Sequence, residues 1–183
     1  MKTDFNLQPT LTNELVILRP LQESDLEDLF DVSSDPKIWD QHPSKERSTR
    51  EGFTKFFQEA MDTKAAFLIL DKKTNEIIGT TRYRLSKESE RAIEIGWTFL
   101  ATKYWGGEYN RSIKKLMLDY AFQKYEVVLF YVDKNNFRSQ RAVEKIGGKR
   151  ISTLDGKVLT IKPHASEIFA IERSDYLISE YLV

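Results

Sequence analysis

Apolar positions change their spacing several times along the chain, and each change marks an element. Residues 14–18, ELVIL, form a β-rich run that stops at Pro20, whose missing N–H ends a ladder. From 23 to 32 the period becomes helical, with Leu26, Leu29 and Phe30 on one face and acids along the other. The segment 35–43, DPKIWDQHP, reads as loop. Phe53, Phe56, Phe57 and Ala60 then recur at helical spacing and predict a second amphipathic helix over 50–61, its phenylalanines in the core. Three strands are predicted at 65–71, 76–85 and 92–100, with turn residues at 73–75, as a hairpin meander. Beyond 109, Ile113, Leu116, Met117, Tyr120 and Ala121 make a helical stripe, and VVLFYV at 127–132 is a short buried strand. A helix over 139–146 closes on Gly147-Gly148 as a left-handed C-cap, and EIFAIER at 167–173 is one more strand. This order predicts a mixed α/β fold on one sheet.

Composition narrows the function. The 183 residues suit a single domain, 1–183, since no linker or compositional break divides them. Lys and Arg number 28, as do Asp and Glu, so no net field draws in nucleic acid or an anionic membrane. Anion binding must be local. With no cysteine, disulfides, thiolate nucleophiles and cysteine metal sites are excluded. The opening MKTDFNLQPT lacks the apolar stretch of a signal peptide and no apolar run reaches membrane-spanning length, so the expected location is cytoplasmic. His42 and His164 are far apart and each adjoins a proline, which argues against a metal pair.

Local anion chemistry has one obvious place. YWGGEYNRSIKK, 104–115, sets two glycines and then Arg111, Lys114 and Lys115 where a helix begins. A helix start leaves backbone N–H groups without intrahelical partners and carries the positive end of the macrodipole, so cations there fit a bound anion better than they fit helix stability. Solvated outer-face charges remain the alternative. Neither the mononucleotide P-loop pattern nor the dinucleotide fingerprint occurs. A second strand-to-helix junction, VDKNNFRSQRAVEKIGG, offers Asn135 or Asn136 as a helix cap and Ser139 in the first turn, an arrangement that needs no ligand taken alone. Two such junctions at one sheet edge are where α/β folds commonly hold ligands.

From LVILRPLQESDLEDLF to EIFAIERSDY the chain resembles the Gcn5-related N-acetyltransferases, most clearly in EIGWTFLATKYWGGEYNRSIKKLMLDYAF and VDKNNFRSQRAVEKIGG. Within that family it is similar to the branch of the ribosomal-protein N-terminal acetyltransferases. The resemblance implies a mostly antiparallel central sheet with helices on both faces and a splayed strand pair forming a coenzyme A cleft. It implies acetyl-CoA as co-substrate, read by Trp97, Thr98 and Phe99 on the splayed strand, by Trp105, Gly106, Gly107, Glu108, Tyr109, Asn110 and Arg111 around the pyrophosphate, and by Asn136 and Ser139 near the thioester. The resemblance puts Trp39 in the region that covers the acceptor, with substrate contact and simple core packing as equal alternatives. Two departures stand out: Glu108 replaces a glycine of the phosphate loop, and Val143 occupies the place of a last-helix tyrosine.

The implied reaction moves an acetyl group from the thioester to a primary amine, a protein N-terminus or a small molecule, directly within a ternary complex and without a metal. Glu94 interrupts an apolar strand, with Ile93, Ile95, Trp97 and Phe99 on the opposite parity, and is the expected general base; a rim carboxylate is the alternative. Ser139 is the expected donor to the leaving thiolate and Asn136 its orienting partner. The rival function is a non-catalytic acyl-CoA-binding sensor. A monomer or a homodimer fits equally well.

Overall fold

The computed structural model describes residues 5–159 and 167–181; His164 lies outside them. The elements in chain order are β1 (Leu11–Thr12), β2 (Val16–Pro20), α1 (Leu26–Ser33), α2 (Arg50–Asp62), β3 (Ala66–Asp71), β4 (Ile77–Leu85), β5 (Ala92–Leu100), α3 (Tyr109–Ala121), β6 (Val127–Val132), α4 (Phe137–Glu144), β7 (Lys149–Arg150), β8 (Thr153–Leu154), β9 (Lys157–Val158), β10 (Glu167–Glu172) and α5 (Arg173–Tyr181). Short 3-10 turns precede α1 and α2, and one covers Pro36–Trp39 where the sequence reads as plain loop. The chain divides into two compact units, residues 1–83 with 97–116, and 84–96 with 117–183.

In the first unit β1, β2, β3 and β4 form antiparallel neighbours. Thr49 starts α2 by accepting the Gly52 amide on its hydroxyl at 3.2 Å, which satisfies one orphan N–H of the first turn. The helical stripe of Phe53, Phe56 and Phe57 packs with Leu29, Trp39, Leu68 and Phe99 into one apolar cluster, as its spacing predicts. Burying phenylalanines is worth roughly 1.5–3 kcal/mol each, so this aromatic layer contributes several kcal/mol to the unit. Gly79 lies where β4 runs against the chain at Phe99.

In the second unit β5 pairs in parallel with β6 over Ala92–Glu94 and Val127–Leu129, while β10 runs antiparallel to β6 for six residue pairs and β7 adds to its far side. A second apolar cluster joins Ala92, Val127, Leu129, Leu154, Leu159, Ile168 and Ala170. Gly147 takes φ 94° and the Gly148 amide bonds the Val143 carbonyl at 3.0 Å, the glycine ending read from the sequence for α4. Mixed α/β with a mostly antiparallel sheet is therefore the observed class.

A methyl group on Gly79 would stand 2.0 Å from the Phe99 carbonyl oxygen, which belongs to a strand and cannot move aside. Gly79→Ala is expected to destabilise the protein by about 3 kcal/mol, read as a lower urea midpoint with an unchanged slope.

Candidate functional site

The loop before α3 is built by an interrupted strand and two anchored tyrosines. Trp97 has φ 53°, outside the β region, and breaks the alternation of β5. Past it, the Thr98 hydroxyl bonds Thr81 Oγ1 at 2.7 Å and receives the Lys114 ammonium at 2.6 Å, while the Phe99 ring packs against Trp39 with 5.2 Å between centroids. The strict parity expected through Phe99 therefore fails at Trp97, because one residue in a left-handed conformation resets which side each later residue faces. The Arg82 guanidinium lies 4.0 Å over the Trp97 ring.

From Leu100 the chain enters a 3-10 turn, Thr102–Tyr104, and the Trp105 indole N–H donates to the Leu100 carbonyl at 2.9 Å. Lys103 and Tyr104 both bond Glu76, at 2.6 Å and 3.0 Å for their shortest contacts, and the Tyr109 hydroxyl donates to Asp71. The Tyr104 and Tyr109 rings meet edge to face, 4.6 Å apart. Tyr109 is pushed up to about 12, chiefly by its bond to Asp71, and Tyr104 to about 12 by burial and then by Glu76. Asp71 is held below the usual carboxylate range by Tyr109 and by the amides and hydroxyl of its own turn. Between these anchors Gly106, at φ 73°, Gly107 and Glu108 are exposed, and a Cβ on either glycine would touch nothing within 4 Å. The backbone here is open to solvent, as is Glu108 itself. The helix opens at Tyr109, where the sequence places it.

In the second unit Glu94 is buried at 5% exposure, and Arg84 Nε and Nη2 both donate to its Oε2, the first at 2.9 Å. Oε1 lies 3.5 Å from where a side chain on Gly96 would begin, so the two residues share a face as their parity predicts. At the start of α4 the Asn136 side chain accepts the Ser139 amide at 3.1 Å, which makes Asn136 the helix cap; it is 7% exposed. Gln140 tethers the preceding turn by donating to the Asp133 and Lys134 carbonyls at 3.0 and 2.9 Å.

Residues 16–149 match the family model of the acetyltransferase (GNAT) domain. The chain belongs to this GNAT acetyltransferase family. It is an acetyl-CoA-dependent N-acetyltransferase by that membership. Among solved structures, it is similar to a GCN5-related N-acetyltransferase from Brucella melitensis, at 17% identity, TM-score 0.77 and coverage of 93% of this chain and 81% of that one. It is also similar to Mycobacterium smegmatis RimJ in complex with CoA-disulfide, at 15% identity, TM-score 0.66 and coverage of 94% and 93%. A third is spermidine N-acetyltransferase from Vibrio cholerae in complex with CoA and spermine, at 18% identity, TM-score 0.65 and coverage of 90% and 99%. At such identities these likenesses support the fold alone. No curated protein matches the chain at a significant level. No helix among the described residues is long and apolar enough to cross a membrane.

Three side chains named from the sequence are buried. Trp39 is only 3% exposed and donates its indole N–H to the Ser33 carbonyl at 2.8 Å, so it is a core ring and is not presented to an acceptor. Phe99 is equally a core ring, which leaves only its backbone for a ligand. Lys114 is not an outward cation of the helix start; it is 5% exposed and bonds Thr98 and, at 3.3 Å, Thr81. The signal for this was present, because Lys114 stands three and four residues before Met117 and Leu118 on the buried side of α3. Arg84, which holds Glu94, was missed altogether; in RYRL it reads as an ordinary strand-end charge.

Burial lowers the Lys114 amine from 10.5 to about 7. Below pH 7 both the folded and the unfolded protein carry the proton and the burial penalty is complete. Between pH 7 and 10.5 the folded protein releases the proton that the unfolded chain still holds, so stability rises with pH, by on the order of 5 kcal/mol across the whole window. Lys114→Met, which removes this linkage, is expected to be more stable than the wild type near neutrality and to lose that advantage toward pH 10, measured by urea unfolding at several pH values.

Proposed function

We propose that the protein transfers the acetyl group of acetyl-CoA directly to a primary amine, a protein N-terminus or a small-molecule amine, within a ternary complex, as the ribosomal-protein N-terminal acetyltransferase branch does. The observation that carries the reading is the open, glycine-bearing turn ahead of α3 in a GNAT chain: exposed backbone at Gly106 and Gly107, fixed on both sides by Tyr104 and Tyr109. In this reading the pyrophosphate rests on the main chain from Trp105 to Arg111, with Asn110 as a side-chain donor, and the acyl arm follows the backbone of Trp97, Thr98 and Phe99. RimJ of M. smegmatis, solved with CoA-disulfide, and the V. cholerae spermidine acetyltransferase, solved with CoA and spermine, support a coenzyme A ligand and an amine acceptor. The cytoplasm, where acetyl-CoA is available, is the location that suits this chemistry.

A primary amine is mostly protonated at neutral pH and must lose a proton before attack. Glu94 takes it in this reading, at Oε1, while Arg84 fixes the carboxylate through Oε2. The amine nitrogen then bonds the thioester carbon, an amide of β5 stabilises the oxyanion, the nitrogen gives its second proton to solvent, and the C–S bond breaks with its electron pair leaving on sulfur as the coenzyme A thiolate. Asn136 and Ser139 attend the sulfur side of the acyl arm. Glu94→Gln is expected to lower kcat by about 10²–10⁴ without changing acetyl-CoA affinity. Equal turnover of this variant across a panel of peptide and polyamine acceptors removes Glu94 from the chemistry. Replacing Glu108 with glycine removes a carboxylate from beside the diphosphate and is expected to tighten acetyl-CoA binding about three- to tenfold, more at low salt. Titration calorimetry with acetyl-CoA measures this, and absence of any heat from the wild type refutes the coenzyme itself.

A further inference from the structure

Within the first unit the start of α3 is held in two different ways. Tyr109 bonds Asp71 at the end of β3, and the Asn13 side chain, between β1 and β2, donates to the Ser112 hydroxyl at 2.6 Å. These contacts tie the helix to turns of the chain. Lys114 reaches the other way, into the sheet, where its Nζ lies 2.6 Å from the Thr98 hydroxyl and 3.3 Å from that of Thr81.

The strand it reaches needs holding. Trp97, at φ 53°, has a conformation that non-glycine residues avoid. Trp97 and Thr98 are partly exposed, whereas Phe99 and Leu100 go inside again. Thr98 nevertheless turns its hydroxyl inward, 2.7 Å from that of Thr81, which is wholly buried on β4. An ammonium can only donate, so both hydroxyls serve one cation as acceptors, and a helix and two strands are joined at a single nitrogen. With its side chain committed to this junction, Thr98 has its main chain left to offer a ligand.

As a purely structural device the junction is costly. Thr98 and Thr81 give the ammonium acceptors but no opposing charge, and burial lowers its basicity. A methionine of similar length fits the inner stripe beside Ile113 and Met117 without that penalty. A charged group kept where an apolar one is more stable marks a place where function sets the residue. Resting on the acetyl-transfer reading above, we propose that Lys114 is a positioning residue for the coenzyme, holding residues 97–99 through Thr98 in the shape along which the acyl arm lies. It acts through Thr98 and takes no part in the bonds that form and break.

The test compares Lys114→Met, Thr98→Val and the wild type by calorimetry with acetyl-CoA and with ADP, which carries a diphosphate and no acyl arm, beside urea unfolding of each protein. The proposal expects both variants to bind acetyl-CoA about 5- to 20-fold more weakly and ADP within about twofold of wild type. It also expects Lys114→Met to unfold at a higher urea concentration than wild type near neutrality, so that stability and affinity move in opposite directions. Acetyl-CoA affinity of Lys114→Met within about twofold of wild type overturns the proposal. An equal loss for ADP overturns it by assigning the lysine to the phosphates, and weaker binding together with a lower urea midpoint overturns it by reducing the lysine to a structural element. Normal binding by Thr98→Val beside a weak Lys114→Met overturns the route through Thr98. Wild type that neither binds acetyl-CoA nor acetylates any amine overturns the functional reading first, an outcome distinct from a wild type that binds the coenzyme and is indifferent to the lysine.

Discussion

A single residue outside the β region sets the conditions for the first unit. For a non-glycine such as Trp97 the left-handed φ costs about 1–2 kcal/mol, so the neighbourhood must hold it there. Arg82 does so from the indole face and the Thr81–Thr98 hydroxyl pair from the next residue. In exchange Thr98 meets Lys114 on α3 while Phe99 joins the aromatic layer over α2. A regular strand would present these residues differently, and the turn that begins at Leu100 would start from another direction.

Element positions were legible in the chain because they depend on spacing. The switch from a period of two to a period near 3.6 located α2, β3, β4 and α3 to within a residue or two, and the glycine pair marked the end of α4. What periodicity could not carry was the interruption at Trp97, since nothing in AIEIGWTFL distinguishes a residue that bends from one that alternates. The same limit applies to partners. Glu94 stood out as a lone acid among apolar residues, but Arg84 is ten positions away and meets it only through the sheet. Lys114 misleads for a simpler reason: a lysine near a helix start suggests surface, and the inner stripe of α3 carries it inside; for Trp39, where packing was an open reading, a 3-10 turn does the same.

Two arrangements of buried ionic groups contrast among the described residues. Glu94 and Asp25 each face a guanidinium, Arg84 and Arg19, in hydrogen-bonded pairs that compensate for lost water. Lys114 meets two hydroxyls instead, which supply acceptors without opposing charge, and burial alone accounts for its lowered basicity. The first arrangement fixes an ion; the second makes an amine that changes form near neutrality.

The loop ahead of α3 is moored at both ends to one short connection, Tyr109 to Asp71 and Lys103 with Tyr104 to Glu76. Its ordering entropy has already been spent during folding. In the acetyl-CoA reading proposed above, the diphosphate meets a frame that does not have to form around it, so the ordering cost of binding there is small.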